Sequence, residues 1–224
     1  MMVIKIGGVT ITGPMALVMF LAIIATIVSI AIGAGASRHD WPIYLSLALW
    51  FAFITYWSVA ARSAGATQSS ESRATRAVHE RMLNGALLLL FIPVPGLREH
   101  LIERTQTAIA IGLGVQIASG LLGVWARRIL GRNWSGAITI VVGHQLVRSG
   151  PYRVLRHPIY TAMIGMFIGS AIISGEVHAL IGVLLVTYAY RRKIRMEEVN
   201  LLTQFGEVYE QYQKKTWALV PGVV

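Results

Sequence analysis

Two short stretches hold most of the residue types able to do chemistry. The first reads GHQLVRSGPYRVLRHPIYTAM from Gly143 to Met163, and the second RMEEVNLLTQFGEVYEQY from Arg195 to Tyr212. Their polar groups are His144 and His157 on one side and the carboxylate pair Glu197-Glu198 on the other. Imidazole and carboxylate side chains bind cations, polar ligands and each other, and they move protons. The chain has no cysteine, which excludes a disulfide framework, a thiolate metal site and a cysteine nucleophile. No metal site is expected.

Local rules place these groups. Ser149-Gly150-Pro151 forms a turn, and Pro158 disfavours helical geometry at His157 while suiting the first turn of a following helix. His157 therefore stands where a loop meets a helix whose free N–H groups favour an anionic ligand group. An apolar segment runs from there to Ser174-Gly175, which reads as the tight turn of a helical hairpin. A second apolar segment returns and ends just before Glu197 and Glu198. An antiparallel hairpin puts both ends on one side, so His157 and the glutamate pair are expected as neighbours.

Each feature also has a plainer explanation. His157 serves equally as a helix cap and His144 as a loop histidine bonded to backbone. Arg153, Arg156 and the run Arg191–Arg195 read first as topology signals and lipid phosphate contacts. Glu197-Glu198 fits the first turn of an amphipathic tail helix, with Leu202, Phe205, Tyr209 and Tyr212 as its packed stripe. Gly112-Leu113-Gly114 is no dinucleotide fingerprint, because position 117 is Ile. Its glycines suit close helix packing.

The elements that must position these groups are membrane spans. Of the 224 residues, 55% are hydrophobic and 13% charged, about half the charge of a soluble domain. Charge-free windows run between Lys5 and Arg38, Asp40 and Arg62, Arg81 and Arg98, Arg104 and Arg127, Arg156 and Glu176, and Glu176 and Arg191. A helical span needs about 20 apolar residues, which four of the windows supply. The third is short and contains Pro93 and Pro95, giving a short or broken span. In the sixth, Glu176 and His178 face the far interface while Arg191 and Arg192 reach back to the near one. Residues 14–33 exceed the apolar core of a signal peptide and read as a retained helix.

About six spans follow, with five and a re-entrant segment as the rival count. With six, 17 of the 20 Lys and Arg residues fall on one side. The positive-inside rule then puts both termini in the cytoplasm. The net charge of +10 is explained by this distribution and by anionic membrane lipids, without nucleic acid. The fold class is all-α, a polytopic transmembrane helical bundle with a cytoplasmic, cofactor-binding C-terminal region. Residues 1–126 read as transmembrane scaffold and 127–224 as a region that concentrates polar residues around a helical hairpin, with 61–72 a flexible connector. The sequence does not specify an oligomeric state.

The order G-P-Y-R-x-x-R-H-P-x-Y, an apolar hairpin, then E-E-x-x-L-x-x-x-F-G-x-x-Y-x-x-Y resembles the isoprenylcysteine carboxyl methyltransferase family. It is similar also to that family's bacterial relatives and to membrane phospholipid methyltransferases. The resemblance covers about residues 130–221 and implies S-adenosylmethionine as methyl donor. The implied cofactor positions are His144, Leu146, Val147, Tyr152, His157, Pro158, Ile159, Tyr160 and Glu197. A basic residue before the glutamate pair is implied near the acceptor's carboxylate, and Arg195 or Lys193 fills that place. Arg195 and Glu197 are thus the candidate catalytic residues, and Glu198 is expected to matter less than Glu197. The implied acceptor is a lipid-like or prenylated molecule, and the implied setting a multi-pass protein of a bacterial inner membrane. Sterol reductases, which use NADPH, carry a similar R-H-P-x-Y hairpin, so a membrane reductase is the alternative, as is phospholipid N-methylation.

Overall fold

The computed structural model describes residues 3–6, 9–12, 41–63, 67–69, 71–135, 139–141 and 145–222. The expected first span, at 14–33, lies outside the described residues. The described architecture is mainly helical: α1 (Trp41–Ala60), α2 (Arg73–Phe91), α3 (Gln106–Leu130), α4 (Pro158–Ser174), α5 (Val177–Phe205) and the short α6 (Glu207–Gln213). Two antiparallel strand pairs accompany the helices, β1 (Val3–Ile6) with β2 (Val9–Thr12) and β3 (Thr67–Ser69) with β4 (Thr139–Val141). The second pair corrects the reading of 61–72 as a free connector. The β-branched Thr139–Val141 run favours extended backbone and ties that loop to the segment before the His-Pro turn.

Helix ends follow local chemistry. Ser72 and Thr105 cap α2 and α3 by accepting the N–H groups of Thr75 and Ala108, each at 3.1 Å. Helix α2 stops at Phe91, ahead of Pro93, so the short third charge-free window falls on the second half of a helix that begins in polar sequence. A charge-free window misses the first half, because an amphipathic helix carries its charges on one face. Pro158 opens α4, and Gly175 closes it in the left-handed region at φ 73°. Helix α5 has 29 residues and is roughly 43 Å long. That exceeds a hydrocarbon core of about 30 Å, and its C-terminal turns carry Lys193, Glu197 and Glu198. Gly206, at φ 51°, ends α5 and begins α6. The expected single tail helix is therefore two helices, and the stripe divides between them, with Tyr209 and Tyr212 buried.

The bundle packs as membrane helices do, through small residues and buried polar contacts. A Cβ on Gly169 of α4 would lie 2.6 Å from the Gly112 carbonyl oxygen of α3, so these backbones touch. Trp50, fully buried, meets Phe167 edge-on at 5.1 Å and donates its indole N–H to Ser170 at 3.0 Å. Gln116 donates to the Ser46 carbonyl at 3.1 Å, joining α3 to α1. The outward faces are apolar: Ile111, Leu121 and Trp125 on α3, and Leu180, Leu184 and Tyr188 on α5, are exposed. In water such patches would be a liability; in a bilayer they face lipid. Helix α1 and the stretch 106–133 are long and apolar enough to cross a membrane, and α4 is a shorter apolar helix.

The far end of the hairpin is closed by the chain before α3. The N–H groups of Leu101 and Ile102 donate to the Gly175 carbonyl, and those of Val177 and His178 to Glu99 and Leu97. His178 does not face the interface as expected. It is buried, its Nδ1 2.6 Å from the Leu89 carbonyl oxygen and its Nε2 against Glu176. The end of α2 and the hairpin turn supply these partners, and that packing is not readable from hydropathy.

Candidate active site

At the other end of the hairpin the two chemical stretches meet. His157 is the N-cap of α4, though its side chain makes no capping bond. Its ring instead turns toward α5, with Nε2 3.2 Å from Glu198 Oε1 and Nδ1 3.8 Å from Glu197 Oε2. Tyr160, one turn along α4, donates its hydroxyl to Glu197 Oε2 at 2.7 Å and lies parallel to the His157 ring at 5.5 Å. The neighbours expected from the hairpin are neighbours in the structure.

The two glutamates differ in environment. Arg156 Nε donates to Glu198 Oε1 at 2.7 Å, and both side chains are mostly buried, at 10% and 18% exposed. Burial alone would raise the Glu198 carboxyl. The hydrogen bonds and charges of His157 and Arg156 outweigh it and hold that group at about 2. Glu197, 31% exposed, is held by Tyr160 and lies beside His157. Glu198 is thus the paired, more buried anion and Glu197 the more exposed carboxylate. Arg156, read from sequence as a topology signal, is a correction: it is an internal ion-pair partner. An arginine in a short loop between apolar segments satisfies either role, so its type alone could not separate them.

The chain entering the α4 N-terminus is bonded to the C-terminal segment. The N–H groups of Arg156 and His157 donate to the carbonyls of Trp217 and Ala218, at 2.8 and 3.1 Å, and Pro158 has none. Thr161 donates its hydroxyl to the Leu219 carbonyl at 2.6 Å, and Arg156 Nη1 donates to the Gln213 and Thr216 carbonyls. The C-terminal segment therefore straps the His-Pro turn, satisfying helix-start donors that would otherwise seek another partner. Sequence reasoning missed this strap, since main-chain bonds of an irregular tail leave no side-chain signature.

Of the remaining candidates, Tyr152 is buried, and its carbonyl accepts the Tyr212 hydroxyl at 2.7 Å. Burial raises its phenol pKa and the Glu197 charge adds to this, so it stays neutral. Val147 packs with Tyr152, Ile159 and Tyr160 around Ala126. Leu146 is half-buried, Pro158 is buried, and His144 lies outside the described residues. Arg195 is exposed and stands about 200° around α5 from Glu197. Lys193, four positions before Glu197, shares its face and is half-buried. Burial lowers the Lys193 ammonium pKa, opposed first by the Glu197 charge and then by Glu71. Among the described residues no group of three His, Cys, Asp or Glu could hold a metal ion.

Fold and site together define a helical membrane protein with a paired-carboxylate centre at one mouth of a helical hairpin. Residues 110–203 match the model of the isoprenylcysteine carboxyl methyltransferase (ICMT) family. The protein-S-isoprenylcysteine O-methyltransferase of Schizosaccharomyces pombe is 34% identical over 79 residues, 35% of this chain and 34% of that protein. The Xenopus laevis protein of the same name is 36% identical over 81 residues, 36% of this chain and 28% of that one. The aligned segment spans about a third of the length of these relatives. The fold resembles a solved structure described as the eukaryotic intramembrane Ras methyltransferase ICMT. The TM-score is 0.58 at 19% identity, covering 92% of this chain and 73% of that one.

Proposed function

We propose that the protein is an integral membrane methyltransferase that uses S-adenosylmethionine to methylate the carboxylate of a prenylcysteine-like acceptor. The observation that carries this is the His157–Tyr160–Glu197 cluster at the mouth of the hairpin, inside the segment that matches the family. A half-exposed carboxylate with aromatic rings beside it suits a ligand carrying an ammonium and a sulfonium. When bound, S-adenosylmethionine supplies an electrophilic methyl group. Glu197 and Tyr160 hold its polar part, Val147 and Tyr152 wall the site, and the strap fixes the turn. Pro158 and Ile159 shape the turn through their backbone, and His144 and Leu146 complete the set. An acceptor α-carboxylate, with a pKa near 3.5, is already ionised and needs no base. Glu197 therefore binds rather than abstracts a proton, and the protein's task is alignment and exclusion of water. Lys193, on the Glu197 face, is the better placed cation for the acceptor carboxylate, and the exposed Arg195 acts further out.

In this reading 1–126 is mainly scaffold and 127–224 the catalytic region. Six spans place both termini in the cytoplasm, and a reporter fused after Val224 should score as cytoplasmic. A periplasmic or luminal signal would overturn the orientation. A bacterial inner membrane is the setting assumed, on the likeness to the family's bacterial relatives alone.

The cofactor is tested on detergent-purified protein. S-adenosylhomocysteine at a hundredfold excess over its Kd should stabilise the fold by about 2.7 kcal/mol through mass action. NADPH should leave the melting temperature unchanged. Stabilisation by NADPH alone would move the protein to the reductases.

A further inference from the structure

His79 lies on α2, in what the sequence reads as scaffold and outside the segment that matches the family. It is 5% exposed, and its Nδ1 is buried with no hydrogen-bond partner among the described residues. Its ring meets Tyr190 at 5.5 Å and 70°, and Tyr190 stacks on Tyr160 at 4.8 Å, the ring bonded to Glu197. Four rings thus stand in a row from His79 through Tyr190 and Tyr160 to His157, with the cofactor candidates at the far end.

His79 precedes Arg81, outside the apolar window. Burial, then the charges of Lys193 and Arg192, push its pKa down to about 4, against a backbone hydrogen bond at Ala189. That bond belongs to Nε2, since Nδ1 has no partner among the described residues. The imidazole is therefore neutral at physiological pH, with the Nδ1 lone pair as an unused acceptor. Buried acceptors are nearly always paired, and leaving one empty costs free energy. It sits within electrostatic reach of Lys193, the cation facing Glu197.

We propose that His79 is a specificity-determining contact for the acceptor, its Nδ1 accepting the amide N–H carried by the same carbon as the carboxylate to be methylated. This rests on the methyltransferase reading above. In an acylated prenylcysteine the amide N–H and the carboxylate branch from one carbon, so an ammonium and a nearby lone pair can read both. A site built around such a donor discriminates against analogues that lack it.

The test compares two acceptors with the same tail, thioether and carboxylate: N-acetyl-S-prenylcysteine, and S-prenylthiopropionate, which lacks the amide. The detergent-purified full chain should prefer the first by about tenfold in kcat/KM. His79→Phe should abolish the preference by raising KM for the amide acceptor with kcat little changed. His79→Asn, whose carboxamide oxygen stands near the Nδ1 position, should restore most of it. S-adenosylhomocysteine affinity and melting temperature should stay at wild-type values in the Asn variant. If wild type methylates both acceptors and His79→Phe keeps the wild-type ratio, the inference falls alone. A parallel loss of S-adenosylhomocysteine affinity in both variants would reassign the ring to the cofactor and overturn it too. If wild type binds S-adenosylhomocysteine but methylates neither acceptor, the acceptor class proposed above fails and takes this contact with it.

Discussion

Glu198→Ala is expected to cost about 3 kcal/mol and to lower the melting temperature of the detergent-purified protein by roughly 10 °C. Removing one member of a mostly buried pair leaves the other charged and unpaired. Here the abandoned partner is Arg156, 10% exposed, whose guanidinium also holds the strap through the Gln213 and Thr216 carbonyls. Glu198→Gln keeps an acceptor oxygen and should cost about half as much. The pH dependence has a defined sign. The folded carboxyl sits at about 2 against an ordinary 4.5, so the unfolded chain binds more protons between those values. The contribution is complete above about pH 4.5 and fades as the pH falls toward 2. Thermal melts over that range should show an acid limb that Glu198→Gln flattens. An unchanged melting temperature in Glu198→Ala would mean that the pair is held too loosely to matter.

The same residues show what sequence could and could not carry. The meeting of His157 with the glutamate pair was legible because the evidence for it is local: a proline that starts a helix, a Ser-Gly turn and two apolar runs of similar length. Which glutamate faces the ligand was legible only in part. Adjacent residues lie about 100° apart on a helix, and the rotation of α5 is set by packing against α2 and α4, which no spacing rule reports. Glu198 was expected to matter less than Glu197 for the ligand; its weight for the fold was invisible because it depends on Arg156. The break at Gly206 was hidden by a stripe whose spacing suits one helix as well as two. His79 carried no signal at all, being a lone histidine in a helix that reads as scaffold. Its environment comes from α5, more than a hundred residues later in the chain.

The cofactor assignment makes the other large prediction. Glu197→Gln and His157→Ala should each weaken S-adenosylhomocysteine binding by at least about tenfold, or 1.4 kcal/mol. The glutamine can still accept the Tyr160 hydroxyl, so its loss is one of charge, and its melting temperature should stay near wild type. His157→Ala removes a ring that also donates to Glu198, so it should lower the melting temperature as well. Affinity must therefore be measured on the folded fraction, by calorimetry below the melting transition. His157 Nδ1 lies 3.8 Å from Glu197 Oε2, and in the proposed function the two bear on one ligand. Their effects should then be non-additive, the double variant losing less than the product of the single losses. Additive losses would place the two residues on separate parts of the ligand. Wild-type affinity in both single variants would remove the cluster from the binding site, and with it the observation on which the proposed function rests.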